Sequence, residues 1–253
     1  MYFSATDNSA YVAKRIAAAT GEQAVSMTEL PSSVTIREGE MLGIVCPVYF
    51  WNLPVYVEEF MQRLELHGPR PSYLFFLCTY GTTSGATSVQ IRSHFSVRGM
   101  EMDAGFSLKM PDTWTPLFDL SDAEKVAAQN RAADERLEEI IEDIRSHRQG
   151  DHMDRGVPVF LAILARMAYE QARKTKHLRI ESACIGCGLC AKDCPEQAIA
   201  MEKAEDGADA RPVMVKEKCS LCLRCLHRCP VFAIQYGSRT RKHGQYVHDA
   251  AKS

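Results

Sequence analysis

Eight of the ten cysteines fall between Cys184 and Cys229, and they come as two copies of one pattern. Cys184, Cys187, Cys190 and Cys194 recur as Cys219, Cys222, Cys225 and Cys229, each displaced by 35 positions. The displacement extends to Pro195 and Pro230, and to Ala198-Ile199 and Ala233-Ile234, so a short unit has been duplicated. A secreted disulfide scaffold is short and follows a signal peptide. This chain has 253 residues, and its first residues show neither a basic start nor an apolar core. The expectation is a reducing cytoplasm, in which clustered thiols serve as metal or redox ligands.

Each copy reads Cys-x2-Cys-x2-Cys-x3-Cys-Pro. Three thiolates at that pitch can wrap one 4Fe–4S cube, while the fourth, directed away at the proline, ligates the other cube. The spacing predicts one cluster on Cys184, Cys187, Cys190 and Cys229, and a second on Cys219, Cys222, Cys225 and Cys194. Zinc and disulfides are the alternatives, but structural zinc needs neither a third cysteine at the same pitch nor a trailing Cys-Pro. Residues 179–236 resemble the bacterial two-cluster ferredoxins, which implies single-electron transfer at low potential. Arg224, His227 and Arg228 lie in the second motif, whereas the first has Lys192 beside Asp193. Positive neighbours favour the reduced cluster, so the one on Cys219 is expected to be the more easily reduced.

The first 150 residues alternate buried-strand and amphipathic-helix patterns, which argues for a parallel sheet covered by helices. Residues 41–48 and 73–79 read as strands apolar on both faces, and residues 99–108 as a weaker one. Residues 8–20, 55–67 and 86–97 read as helices. Ser121-x-x-Glu124 reads as a capping box that opens a long helix to about residue 148. Residues 157–176 read as one more helix, with Leu161, Leu164, Ala168 and Ala172 on one face. Cys46 and Cys78 are expected in the core.

Three loops would lie where open parallel sheets bind ligands, at the carboxyl ends of strands. They are residues 4–9, residues 47–54 and residues 79–85, and the last two carry aromatic rings able to stack on a flat ligand. Their arrangement resembles the flavodoxin family. There a hydroxyl-rich loop holds the phosphate of FMN and two later loops flank the isoalloxazine. The resemblance implies phosphate contacts from Ser4, Thr6, Asn8 and Ser9, and ring contacts from Pro47, Tyr49, Trp51, Asn52, Thr79, Tyr80 and Gly81. The whole chain, including Lys109-Met110-Pro111-Asp112, resembles the fused flavodoxin–ferredoxin proteins of anaerobic bacteria. Asp7 stands where that family has glycine, so its carboxylate is expected to face the phosphate and weaken binding. The chain begins three residues before this loop, so either the true start lies upstream or the central first strand is stunted.

The expected organisation is an FMN-binding flavodoxin-like domain over residues 1–150, built as a doubly wound α/β sheet. A linker helix over 151–178 leads to a small α+β two-cluster domain over 179–238, and a basic tail over 239–253 is expected to be solvated. The seven histidines other than His227 are likewise expected to be solvated. Residues 202–211 read as a surface loop between the copies. A net charge of −2 gives no global case for nucleic acid as a partner, and no 18-residue stretch is apolar enough to span a membrane. Residues 177–253 carry about +3 and the remainder about −5, so proximity between the parts is expected from the tether rather than from net charge. These features lead to an electron carrier that relays electrons between FMN, two 4Fe–4S clusters and external redox proteins. An FMN-dependent reductase of a small molecule is one alternative, and a ferredoxin with a flavin-free docking module is another.

Overall fold

The computed structural model describes residues 1–154, 157–203 and 210–249. Residues 204–209 of the expected charged loop, 155–156 of the linker and 250–253 of the tail lie outside the described residues. The N-terminal part carries α1 (Asn8–Thr20), β1 (Ser33–Thr35), β2 (Leu42–Pro47), α2 (Val55–Arg63), β3 (Glu65–His67), β4 (Leu74–Tyr80), α3 (Thr87–Ser96), β5 (Ala104–Lys109), α4 (Ala123–Arg145) and β6 (Gly150–His152). β2, β4, β5 and β6 form a four-stranded parallel sheet in that order. This is a mixed α/β architecture compatible with a flavodoxin-like fold.

Residues 1–3 extend the sheet beyond β2. Phe3 donates to Val45 O (3.0 Å) and Val45 to Met1 O (3.0 Å), while on the other side Tyr2 donates to Val25 O (2.9 Å) and Met27 to Tyr2 O (2.7 Å). Tyr2 thus bridges in parallel to both neighbours. The segment lies between β2 and residues 25–27.

Side chains alternate faces along each strand, and both faces are apolar. Ile44, Cys46, Phe76 and Cys78 pack with Val57, Phe60 and Met61 of α2 and with Ile91 and Phe95 of α3. Val45, Phe75 and Leu77 pack on the opposite side with Val12 and Ile16 of α1 and with Leu137, Ile140 and Ile144 of α4. Cys46 and Cys78 are paired in register and fully buried.

Several boundaries differ from the sequence reading: β5 starts at Ala104 rather than at residue 99, α5 ends at Ala172 rather than at residue 176, and two more have a visible cause. α2 stops at Arg63 rather than at residue 67, because the Arg98 guanidinium takes the carbonyls of Met61 and Leu64, and Glu65–His67 becomes a strand pairing with β1. α4 is capped by Asp122, not by Ser121. The Asp122 carboxylate accepts from Lys125 N at 3.0 Å, and Ser121 instead donates its amide to Asp119.

The C-terminal part carries α5 (Val159–Ala172), a 3-10 turn (Thr175–His177), β7 (Leu178–Ile180), α6 (Leu189–Lys192), β8 (Ile199–Glu202), β9 (Arg211–Met214), α7 (Arg224–His227), β10 (Ile234–Tyr236) and α8 (Thr240–His243). The sequence repeat is visible in these elements: α6 shifted by 35 residues falls on α7, and β8 begins where β10 does under the same shift. The strands pair across the copies. β7 runs antiparallel to β10, and β8 antiparallel to β9, so each ladder takes one strand from either copy. Among the described residues no helix is long and apolar enough to cross a membrane.

The two parts are packed together rather than merely tethered. Tyr169 of α5 donates to Ser220 O at 2.6 Å and stacks on Phe50. Residues from the end of α8 onward, expected as a solvated tail, instead cross both parts. Leu120 donates to His243 O (2.9 Å), and Gln245 Nε2 donates to Leu226 O (2.7 Å) and Cys229 O (2.9 Å). The Tyr246 hydroxyl reaches Asn8 Oδ1 at 2.8 Å, and His248, also buried rather than solvated, stacks on Tyr11. His147 and His152 likewise stack, on Tyr73 and Phe106.

Candidate cofactor sites

The register Pro47↔Thr79 and Tyr80↔Lys109 ends β2, β4 and β5 at one edge of the sheet. At that edge, between the two parts of the chain, lies a cavity of about 550 Å3. Its size is that of a small-molecule site. Ser4, Thr6, Asn8, Ser9, Pro47, Tyr49, Trp51, Thr79, Tyr80 and Gly81 all line it. Asn52 does not. It is buried behind the loop, where its amide donates to Phe50 O (2.6 Å) and Ala162 O (3.0 Å) and accepts from Gln90 (2.8 Å).

The loop before α1 brings free helix-start amides and hydroxyls together. Asp7 sits at φ 65°, a left-handed backbone that Asp tolerates better than most residues. No side chain caps α1, and its first intrahelical bond is Tyr11 N to Asp7 O at 2.8 Å. The amides of Asn8, Ser9 and Ala10 therefore have no intrahelical acceptor, yet all three residues are buried. The carbonyls just before them are engaged from outside. Arg224 donates to Ser4 O (3.1 Å), Arg228 to Ala5 O (3.4 Å) and the His248 amide to Thr6 O (2.9 Å). Ser9 and Thr79 share a hydroxyl hydrogen bond of 2.8 Å. Orphaned amides at a helix start with hydroxyls beside them fit a phosphate. The Asp7 carboxylate does not face this site as expected; it forms an ion pair with Arg228.

The loop after β2 is held in a strained form. Tyr49 and Asn52 exchange both backbone hydrogen bonds at 2.9 Å, with Phe50 (φ 48°) and Trp51 (φ 60°) between them. Two consecutive positive-φ residues are the pattern of a type I′ turn, which bulky residues occupy at a cost. The turn projects Trp51 to the cavity wall. Gly85 permits it, since a Cβ there would lie 2.1 Å from Trp51 O. Gly81 is required for a similar reason: a Cβ would lie 2.2 Å from the Asp112 carboxylate. Asp112 also lines the cavity, and burial raises its carboxyl pKa above the usual range. The sequence does not single out Asp112 as a site residue, although the Lys109-Met110-Pro111-Asp112 stretch carries it.

Further walls come from parts of the chain that local patterns do not connect to the loops. Leu161, Leu164 and Ala168 of α5 line the cavity on one side, and Leu221, Cys222 and Leu223 on another.

The eight cysteines of the repeat fall around two smaller cavities. Cys184, Cys187, Cys190 and Cys229 line one of them. Cys194, Cys219, Cys222 and Cys225 line the other. These are the two crossed sets that the spacing predicts. Backbone amides point at the sulfurs in matching places: Ala198 N to Cys194 Sγ (3.3 Å) and Ala233 N to Cys229 Sγ (3.2 Å). Among the described residues no group of three or more His, Cys, Asp or Glu is arranged to hold a single metal ion. Four thiols ringing a cavity, with amides donating to sulfur, fit a polynuclear iron–sulfur group. Cys222 lines both its own cage and the large cavity, whereas Cys187 of the other cage is exposed.

The charges around the second cage differ from the sequence reading. Burial lowers the His227 pKa to about 4. Its Nε2 donates to Thr113 O (2.9 Å) while Nδ1 accepts from Tyr246 N (3.2 Å), which only the neutral ring can do. Arg228 is compensated by Asp7, which leaves Arg224 as the one cation of the three with no carboxylate partner among the described residues.

Residues 183–233 match the 4Fe-4S dicluster domain family. The chain is also 42% identical over 62 residues to an uncharacterised polyferredoxin-like protein of Methanocaldococcus jannaschii. That similarity covers 22% of this chain and 37% of the relative's length. No solved structure matches the chain. The two matches support 4Fe–4S cluster binding by the clustered cysteines of the C-terminal part.

Proposed function

We propose that the chain carries low-potential electrons between external redox proteins, using FMN in the large cavity and two 4Fe–4S clusters in the cysteine cages. The observation that supports this most is the shared wall: Cys222 belongs both to a cage and to the cavity that the uncapped start of α1 also lines. The amides of residues 8–10 with the hydroxyls of Ser4, Thr6 and Ser9 would hold the phosphate, and Tyr49, Trp51 and Tyr80 would flank the ring. The crossed cysteine sets would hold the clusters. FMN exchanges one or two electrons and each cluster one, which suits a site that splits or collects electron pairs. The chain supplies the rest. Leu221 and Leu223 close the wall between cavity and cage, and the Tyr169–Phe50 stack holds the parts in place.

The test is stoichiometry in anaerobically purified protein. Near one FMN, eight iron and eight sulfide per chain is expected from two four-iron clusters and one flavin. Full iron without FMN, even after incubation with excess FMN, would leave a two-cluster carrier with a flavin-free docking module.

A small-molecule reductase is the second reading, and Asp112 favours it. Burial raises the pKa of this carboxyl in the cavity wall, which suits it to acid–base chemistry beside a flavin. Turnover of an organic acceptor that Asp112→Asn abolishes, with FMN retained, would establish it.

A further inference from the structure

Asp7 is the one acidic residue in the loop that precedes α1, and it occupies the left-handed position where the flavodoxin-type loop has glycine. A carboxylate there would repel a phosphate dianion across a short distance. The structure turns it away from the cavity and pairs it with Arg228, 221 positions along the chain and next to Cys229. Both side chains are largely shielded, at 14% and 31% exposure, so the pair is poorly screened by water. Arg228 also donates from Nε to Ala5 O, and Arg224, placed between Cys222 and Cys225, donates to Ser4 O. Two arginines of the cysteine motif thus grip the loop from behind. They occupy its carbonyls and leave its amides to the cavity.

We propose that Arg228 is a positioning residue of the anion site: it neutralises and holds back the Asp7 carboxylate, so that the loop before α1 accepts a phosphate only when the cysteine-rich part is docked on it. The proposal rests on the FMN reading. It assigns no ligand contact to Arg228, whose guanidinium acts through Asp7 and the loop backbone. The phosphate site is then completed by both parts of the chain, though every group facing the phosphate comes from the N-terminal one.

The experiment measures FMN and riboflavin binding, by flavin fluorescence, to the full-length cluster-loaded chain after removal of bound flavin. Riboflavin shares the ring and lacks the phosphate. Arg228→Met is expected to weaken FMN about tenfold or more, the scale of one charged interaction, and to leave riboflavin unchanged. Adding Asp7→Asn to that variant is expected to restore FMN binding, because the uncompensated carboxylate is gone, whereas Asp7→Asn alone has little effect. Arg228→Gln gives the same pattern while keeping a donor for Ala5, and iron content checks that the clusters remain loaded. Equal loss of FMN and riboflavin, or no rescue by Asp7→Asn, overturns the proposal. A parent chain that binds riboflavin and FMN equally, or neither, overturns the FMN reading itself.

Discussion

At the scale of single residues, the two cysteine copies differ most where the backbone is left-handed. Gly186 (φ 66°) and Gly188 (φ 74°) of the first copy correspond to Leu221 (φ 52°) and Leu223 (φ 55°) of the second. A side chain in that region costs roughly 1–2 kcal/mol per residue. Both leucines are about 95% buried, against Val55, Tyr169, Leu226 and Ile234, and burying a leucine contributes about 1.5–3 kcal/mol. Packing against the other part of the chain offsets the strain, which the first copy, without such a partner, avoids by using glycine. An inverted order of substitutions follows. Leu223→Ala removes the packing and keeps the strained angle, at a cost of about 2–5 kcal/mol. Leu223→Gly removes both and is expected to be the milder by ~1 kcal/mol. Denaturant unfolding of the cluster-loaded variants, followed by circular dichroism, measures the difference; Gly more damaging than Ala would show that the left-handed angle carries no strain.

At the scale of elements, the segment after α8 works as a strap. It takes the His227 ring nitrogen, the Asn8 amide oxygen and the Thr6 carbonyl in succession, and so ties the second cysteine motif to the loop before α1. The strap responds to acid through His248. Burial lowers its pKa, although Asp134, Asp249 and Asp7 pull the other way. A ring whose folded pKa lies below its unfolded value packs as the neutral form. Its contribution is complete above the ordinary imidazole value of about 6.5 and is lost as the pH falls below it. Tryptic cleavage after Lys242, normalised at each pH to the protease's rate on a small substrate, is expected to accelerate as the pH drops through that range. His248→Gln should remove the acid dependence, and cleavage that stays pH-dependent in that variant would place the switch elsewhere. The strand exchange gives a second property at this scale. Each ladder draws on both copies, so neither copy completes its own pairing, just as neither completes its own set of four cysteines.

For the whole molecule, the consequence of the proposed function is cooperative loading. The cages shape the residues that carry Arg224 and Arg228, and these hold the anion loop from outside. Metal binding that organises a small domain contributes directly to its folding. Anaerobic iron removal with a chelator is therefore expected to release FMN along with the iron, and reconstitution with iron and sulfide should recover flavin binding without a refolding step. Filtration followed by flavin absorbance reads both. Flavin fully retained by iron-free protein would show that the N-terminal part holds its ligand independently.

The crossed cysteine sets were legible because ligand spacing is local: three thiols per loop and one displaced by a proline need no knowledge of the rest of the fold. The sheet was legible for a related reason, since strands buried on both faces leave continuous apolar runs, and the loops at their carboxyl ends then share one edge. Local patterns failed where a distant group intervened, as when Arg98 ended α2 by taking the carbonyls of Met61 and Leu64. They were silent on the orientation of Asp7, the neutral state of His227, the burial of residues 245–248, and the leucine and cysteine wall that closes the large cavity. Each of these depends on contacts between residues that are dozens to more than two hundred positions apart. Such contacts leave no periodicity in the sequence. They exist only once both parts have folded and excluded water from the surface between them.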